Sequence, residues 1–321
     1  MELAHYHLLL NHWPIIGSFI GLGLFLISLV TESEDLTQVS LALFAFLALM
    51  AIPAYMSGNA AQVAIRELPG VSKAMMETHQ GAALLAFTFI ELTGAAAWLA
   101  LWRFSRTAKN PWMSRPARWN LTAVFVLSLV TVGLMSIAGN TGGDIRHSEI
   151  GGGQTPTSIV GLAGARIAAL VQYTVIEYRW SWPVLETLHF IGLILIIGTF
   201  GVLNIRLLGF LKQLPVTPLH KFVPWGIVGF GLNVLTGALF FIGMPPFYVK
   251  NPDFQIKLLT VVLAGGNLLL FFSTSAFRAW ERLGPGEDAN GIAKFAAASS
   301  IFLWFALIVF GRYMPFFEAA P

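Results

Sequence analysis

Trp13-Pro-Ile-Ile-Gly-Ser-Phe-Ile-Gly-Leu-Gly-Leu-Phe-Leu-Ile-Ser-Leu-Val30 runs for 18 residues without one charge. As a helix rising about 1.5 Å per residue, it covers most of a hydrocarbon core of about 30 Å. Pro14 suits the first turn, where its missing N–H would have had no intrahelical partner. Thr31-Glu-Ser-Glu-Asp35 ends the run. Further runs of this kind follow at Leu36–Met56, His79–Trp102, Trp119–Ala138, Pro183–Leu211, Pro224–Gly243, Phe254–Ala276 and Ile292–Phe310. The reading is an all-α polytopic membrane protein with about eight transmembrane helices.

Composition agrees. The chain has 321 residues, 56% hydrophobic and 11% charged, with a mean hydropathy of +0.72. A soluble domain carries about 25% charged residues, so this chain lacks the polar residues to cover a globule. Cysteine is absent, which removes disulfides, thiolate nucleophiles, cysteine-ligated zinc and iron–sulfur clusters together. Histidine is left as the main soft-metal or haem ligand. The formal charge of +3 fits loops facing anionic lipid, and no basic run is dense enough for nucleic acid. No Gly-x-Ser-x-Gly, phosphate-binding glycine loop or His-Glu-x-x-His occurs, so no catalytic residue is assigned.

The stretch Gly139–Pro156 is polar and glycine-rich and reads as the linker of the chain. It separates an N-terminal four-helix domain, 1–150, from a C-terminal one, 182–321. Residues 151–181 between them form a periplasmic linker with an interfacial helix. The expected architecture is two four-helix bundles. Ser158–Tyr178 is apolar but has Arg166 at its middle, which opposes insertion by about 2.5–3.5 kcal/mol and favours the interface. Asn59–Thr78 reads as too polar to span. With eight spans, Lys and Arg concentrate in the short loops on one side, Arg103–Arg118 among them. That side is expected to be cytoplasmic, leaving both termini periplasmic. Glu32–Asp35 on the cytoplasmic side is the one misfit. No cleavable signal peptide is read before the first span, where Glu2 and three histidines replace a basic region.

The histidines fall mostly on one side. His5, His7 and His12 precede the first span, His79 opens the third, His147 follows the fourth, and His189 lies two turns inside the fifth. Only His220 belongs to the opposite face. A six-coordinate b-type haem takes two imidazoles from facing helices at one depth. His12 and His79 meet that condition, each at the start of an inward-running span. His189 needs a partner in the other bundle, with His147 or Met314 available. A bare metal would use His12, His79 and His147. For His5, His7 and His220 the headgroup region is the simpler place.

Two carboxylates stand out. Glu91 lies mid-span, where an ionisable group is costly and usually functional; it suits a proton or quinone site. Glu186 precedes His189 by one turn and can serve the same end or act as its hydrogen-bond partner. A di-iron site would need a second Glu-x-x-His, which is missing. The mid-span glycines permit close packing, and the tryptophans at span ends form an interfacial belt.

His5-x-x-Leu-x-x-Asn-His-Trp-Pro-Ile-Ile-Gly17, with Gly139-Asn-x-Gly-Gly-Asp-Ile-Arg-His147, resembles an uncharacterised family of bacterial four-helix membrane domains. Trp182-Pro-Val-Leu-Glu-Thr-Leu-His189, Arg206-Leu-Leu-Gly209, Pro224-Trp-Gly226 and Thr236-Gly237 resemble a second such family. The second is loosely similar to copper-resistance membrane domains and four-helix b-type cytochromes. Where it often carries a histidine near the end of its third helix, this chain has Phe271-Phe-Ser-Thr274. The resemblance implies a bacterial inner-membrane protein associated with redox partners, with His12, His147 and His189 at motif positions. The leading expectation is a b-type haem subunit between a quinone pool and a periplasmic cytochrome or dehydrogenase. The alternatives are a copper- or metal-handling protein without haem, and a cofactor-free anchor or assembly subunit.

Overall fold

The computed structural model describes residues 2–67, 71–104, 118–146, 158–273 and 283–319, and every regular element among them is helical. In chain order they are α1 (Glu2–Leu10), α2 (His12–Thr31), α3 (Glu34–Ile65), α4 (Lys73–Phe104), α5 (Arg118–Arg146), α6 (Ile159–Glu177) and α7 (Ser181–Ile196). A π-helical turn, Ile197–Gly201, leads into α8 (Val202–Leu208). Then come α9 (Val216–Leu219), α10 (Val223–Gly243), α11 (Pro245–Lys250), α12 (Pro252–Ser273) and α13 (Gly291–Tyr313).

Among the described residues, nine helices are long and apolar enough to cross a membrane. Eight match the expected spans; the ninth is α6. What these helices expose is as telling as their length. Phe295, Phe302 and Phe305 share one face of α13 and are 73%, 71% and 66% exposed. In water such a face would be an aggregation site; in a bilayer it is an ordinary surface. The interior is correspondingly rich in small polar residues, with Ser18, Ser40, Thr93, Ser128 and Thr131 fully buried. This is how membrane helices pack when lipid is as apolar as leucine.

Contacts divide the chain into two units: Met1–Leu101 with Pro116–Val171 and Pro245–Lys250, and Trp102–Arg115 with Gln172–Met244 and Asn251–Pro321. In unit 1 successive helices run antiparallel. A Cβ at Gly21 of α2 would lie 2.9 Å from Phe44 of α3, and Gly17 is filled in the same way by Leu47. Gln80 of α4 donates to Asn59 of α3 at 3.0 Å, and Tyr55 stacks on Phe87 at 4.7 Å. Thr93 of α4 meets Thr131 of α5 at 2.8 Å. Gly81 of α4 and Gly164 of α6 touch backbone to backbone, so a side chain on either would collide with the other helix.

Three boundaries differ from the sequence reading, each for a local reason. Glu32–Asp35 is a cap: Ser33 accepts from Leu36 N–H at 3.3 Å, and Glu34 and Asp35 face the positive end of the α3 dipole. The acidic turn is therefore set by helix initiation. Of Asn59–Thr78, residues 59–65 continue α3 and 73–78 begin α4, and Gln80 and Asn59 satisfy each other between the two helices. Gly139–Arg146, expected as linker, continues α5. Its glycines cost about 1 kcal/mol each in helix propensity, and bonds from α4 to this last turn offset that.

Unit 2 is also antiparallel where α7 and the π-turn face α10, and where α12 faces α13. Asn233 of α10 donates to the His189 carbonyl at 3.2 Å. A Cβ at Gly226 would lie 2.6 Å from Phe200. Asn251, at the head of α12, donates to the Met314 carbonyl at 2.8 Å. Gly209 ends α8 at φ +96°, the left-handed conformation natural to a glycine past a helix C-terminus.

Candidate functional site

Three histidines are held by one repeated device. The Thr141 hydroxyl donates to the Ile137 carbonyl of its own helix at 2.9 Å. Its proton being spent, it can only accept from His79 Nδ1, 3.2 Å away. Thr236 likewise donates to the Leu232 carbonyl at 2.7 Å and takes a bond from His189 Nδ1 at 2.8 Å. His7 Nδ1 lies 3.0 Å from the Ala54 carbonyl and 3.2 Å from Ser57 Oγ, and Ser57 donates back to Ala54 O at 3.0 Å. In each neutral ring this arrangement favours the proton on Nδ1 and the lone pair on Nε2. That is the state of a metal-ligating imidazole whose orientation is fixed by its second nitrogen.

Each hydroxyl residue is followed by a glycine, and at Gly58 and Gly142 the missing side chain makes room for the ring. A Cβ at Gly58 would lie 3.0 Å from His7 Cε1, one at Gly142 3.0 Å from His79 Cε1, and one at Gly237 4.0 Å from His189 Cε1. Ser57-Gly58 and Thr141-Gly142 are thus one Ser/Thr-Gly clamp used twice in unit 1, and Thr236 of unit 2 repeats its hydroxyl half.

Unit 1 places His7 near enough to His79 for their charges to interact. His12 is exposed, and its Nδ1 is tied at 2.6 Å to the Leu8 carbonyl on the same helical path. His7, expected in the headgroup region, is instead held against α3 by Ala54 and Ser57. His147 lies outside the described residues, as does the His220 side chain, and His5 is exposed. Among the described residues no three His, Asp or Glu side chains come together as a metal-ligand group.

In unit 2, His189 gives its hydrogen bond to Thr236 of α10, and Glu186 is exposed. Phe240 flanks the His189 ring edge-on at 6.1 Å and tilts against Trp182 at 4.6 Å. The Met314 carbonyl is engaged by Asn251. Glu91 sits in α4, with Oε1 buried and without a hydrogen-bond partner among the described residues. In an apolar surrounding such a carboxyl is tolerated as the neutral acid, able to give and regain one proton.

The residues that sequence reasoning missed are His7, Ser57, Thr141 and Thr236. Their signal is the Ser/Thr-Gly dipeptide recurring on helices that face a histidine. Comparison with protein-family models, curated proteins and solved structures finds no match for this chain.

Proposed function

We propose that this chain is a membrane-integral b-type haem subunit, with His7 and His79 as the axial pair. The observation that carries the reading is that unit 1 holds two imidazoles, each anchored through Nδ1 and bedded on a glycine. Haem supplies four nitrogen ligands of its own and asks the protein for two, which suits a site built from two histidines. A bare metal ion needs at least a third ligand, and the described residues offer none beside this pair. The iron, when bound, would contribute one-electron chemistry. The chain's own part is to hold two Nε2 lone pairs in place, exclude water, and keep a protonatable carboxyl at Glu91 in the same unit.

The finer reading is of two four-helix bundles in a bacterial inner membrane, both termini periplasmic, passing electrons between a quinone pool and a periplasmic cytochrome or dehydrogenase. Glu91 is the proposed proton site of that path. The full chain, purified from cells supplied with haem, should give a reduced-minus-oxidised spectrum with the sharp visible band of six-coordinate b-haem. A featureless spectrum with bound copper would favour metal handling. One with neither cofactor would leave the anchor role.

A further inference from the structure

Lys257 is the one cation of α12 and stands five residues beyond its first residue, Pro252, about 8 Å along the helix. Its natural partner is Asp253, one turn earlier, because an acid four residues before a lysine is the favoured order for a helical ion pair. That pair is not made. Among the described residues Lys257 has neither an ion pair nor a hydrogen bond. Its side chain runs instead along α13. Nζ, Cε and Cδ lie 3.4, 3.7 and 3.9 Å from where a Cβ on Gly311 would stand. The lysine is half-buried there.

The charged groups around that position add to the lysine rather than neutralise it. His189 of α7 is near enough for its charge and that of Lys257 to interact. Arg312 follows Gly311 directly and is exposed, its guanidinium lying over Phe316 at 5.9 Å. Helix α10 carries no charged residue, and the one acid of α7, Glu186, is exposed. An ammonium drawn out of water with no counter-charge is costly, and in a span it marks a site. His189 has given Nδ1 to Thr236, so its other nitrogen is left for a neighbour, and as Nε2–H on a charged ring it donates.

We propose that Lys257, with His189 and Arg312, binds the phosphate of an acidic phospholipid where α12 begins and α13 ends. The missing counter-charge calls for an anion. Ile256 and Leu259, on either side of Lys257 in the chain, are 41% and 59% exposed, so the approach to the amine is over apolar surface. A lysine this close to a helix end reaches the headgroup level with its ammonium while its stem stays among apolar groups. Basic groups set between membrane helices recognise lipid headgroups in this way. The site lies in unit 2 and does not depend on the haem reading of unit 1.

The test uses the detergent-purified full chain, washed free of lipid and titrated with dioleoylphosphatidylglycerol, with dioleoylphosphatidylcholine and inorganic phosphate in parallel. Binding is read as thermal stabilisation and as lipid retained in native mass spectrometry. We expect saturable binding of phosphatidylglycerol, about tenfold weaker or more in Lys257→Met, the loss of one hydrogen bond to a charged group. Lys257→Arg should keep most of it. Phosphatidylcholine and inorganic phosphate should give no comparable shift. In lipid-free detergent Lys257→Met should melt at or above wild type, since it removes an uncompensated charge. Equal response of wild type and Lys257→Met to phosphatidylglycerol would overturn the proposal. Equal stabilisation by phosphatidylcholine would do the same, reducing the effect to bulk lipid, and equal stabilisation by inorganic phosphate would make the site one for a free anion. A lower lipid-free melting point in Lys257→Met would show that the ammonium already has its partner in the protein, and would also overturn it.

Discussion

At the scale of single residues, a threonine that gives its proton to its own helix has only lone pairs left for a neighbour. Thr141 and Thr236 therefore fix the tautomers of His79 and His189 without any charge. Thr141→Val removes the hydroxyl acceptor of His79 and leaves the Ala138 carbonyl as its partner, at a cost of about 1 kcal/mol. We expect a lower melting temperature and weaker haem retention, with Thr141→Ser close to wild type; equal retention in Thr141→Val would remove the clamp from the account. The helices that carry His79 and His189 were legible because their apolar runs are long enough to span. His7 was not, since α1 is short and close to the chain start, and nothing in sequence sets its register against Ser57 on α3. Contacts between helices depend on packing angle and register, which periodicity does not encode.

Among the elements, the α8 end shows how a loop cluster is fastened. Arg206 is fully buried and gives its three guanidinium bonds to backbone carbonyls: Leu214 at 2.8 Å, Gly284 at 3.0 Å and Glu287 at 3.2 Å. Arg206→Met keeps much of the volume and strands three carbonyls. We expect unit 2 to lose about 3 kcal/mol, measured as thermal unfolding in detergent; an unchanged midpoint would show these carbonyls rehydrate freely. Beside it, exposed Asp288 accepts from Lys294 at 2.9 Å and Lys212 at 3.1 Å. Hydrogen bonds from Lys294 first, then Lys212, hold its carboxyl below the usual range. A carboxyl made more acidic by folding stabilises the fold above its unfolded pKa. That contribution is lost as pH falls below about 4 and through the folded value. Stability of Asp288→Asn should accordingly change less than wild type over that acid window, and parallel curves would count against the cluster. Sequence reading ended two helices too early here, at Met56 and Ala138, because it followed apolarity. The polar ends of α3 and α5 are kept helical by partners on α4.

For the whole molecule, the open quantity is parity. Eight spans with α6 at the interface put both termini on one side and concentrate Lys and Arg on the other. Counting α6 as a span reverses every later helix and evens out that asymmetry. Arg166 is exposed on α6, which fits a helix at the headgroup level. Reporter fusions at Lys109 and Gly152 should therefore report opposite sides, and fusions at Gly152 and Arg179 the same side. Opposite sides for Gly152 and Arg179 would make α6 a true span and place the two termini apart. The all-helical, multi-pass nature of the chain was fully legible, since it follows from run length and charge content alone. The expected orientation depends on whether α6 crosses, which for a 19-residue apolar helix with one arginine its surroundings decide.

The central claim is that His7 and His79 together hold one haem, and it meets its most direct test in haem-to-protein stoichiometry. Wild type, His7→Ala, His79→Ala and His12→Ala would be purified in parallel, with folding checked by monodispersity and circular dichroism. The account predicts one haem per chain in wild type and in His12→Ala, and a loss of six-coordinate haem in His7→Ala and His79→Ala alike. Full haem content in His7→Ala with loss in His12→Ala would contradict it.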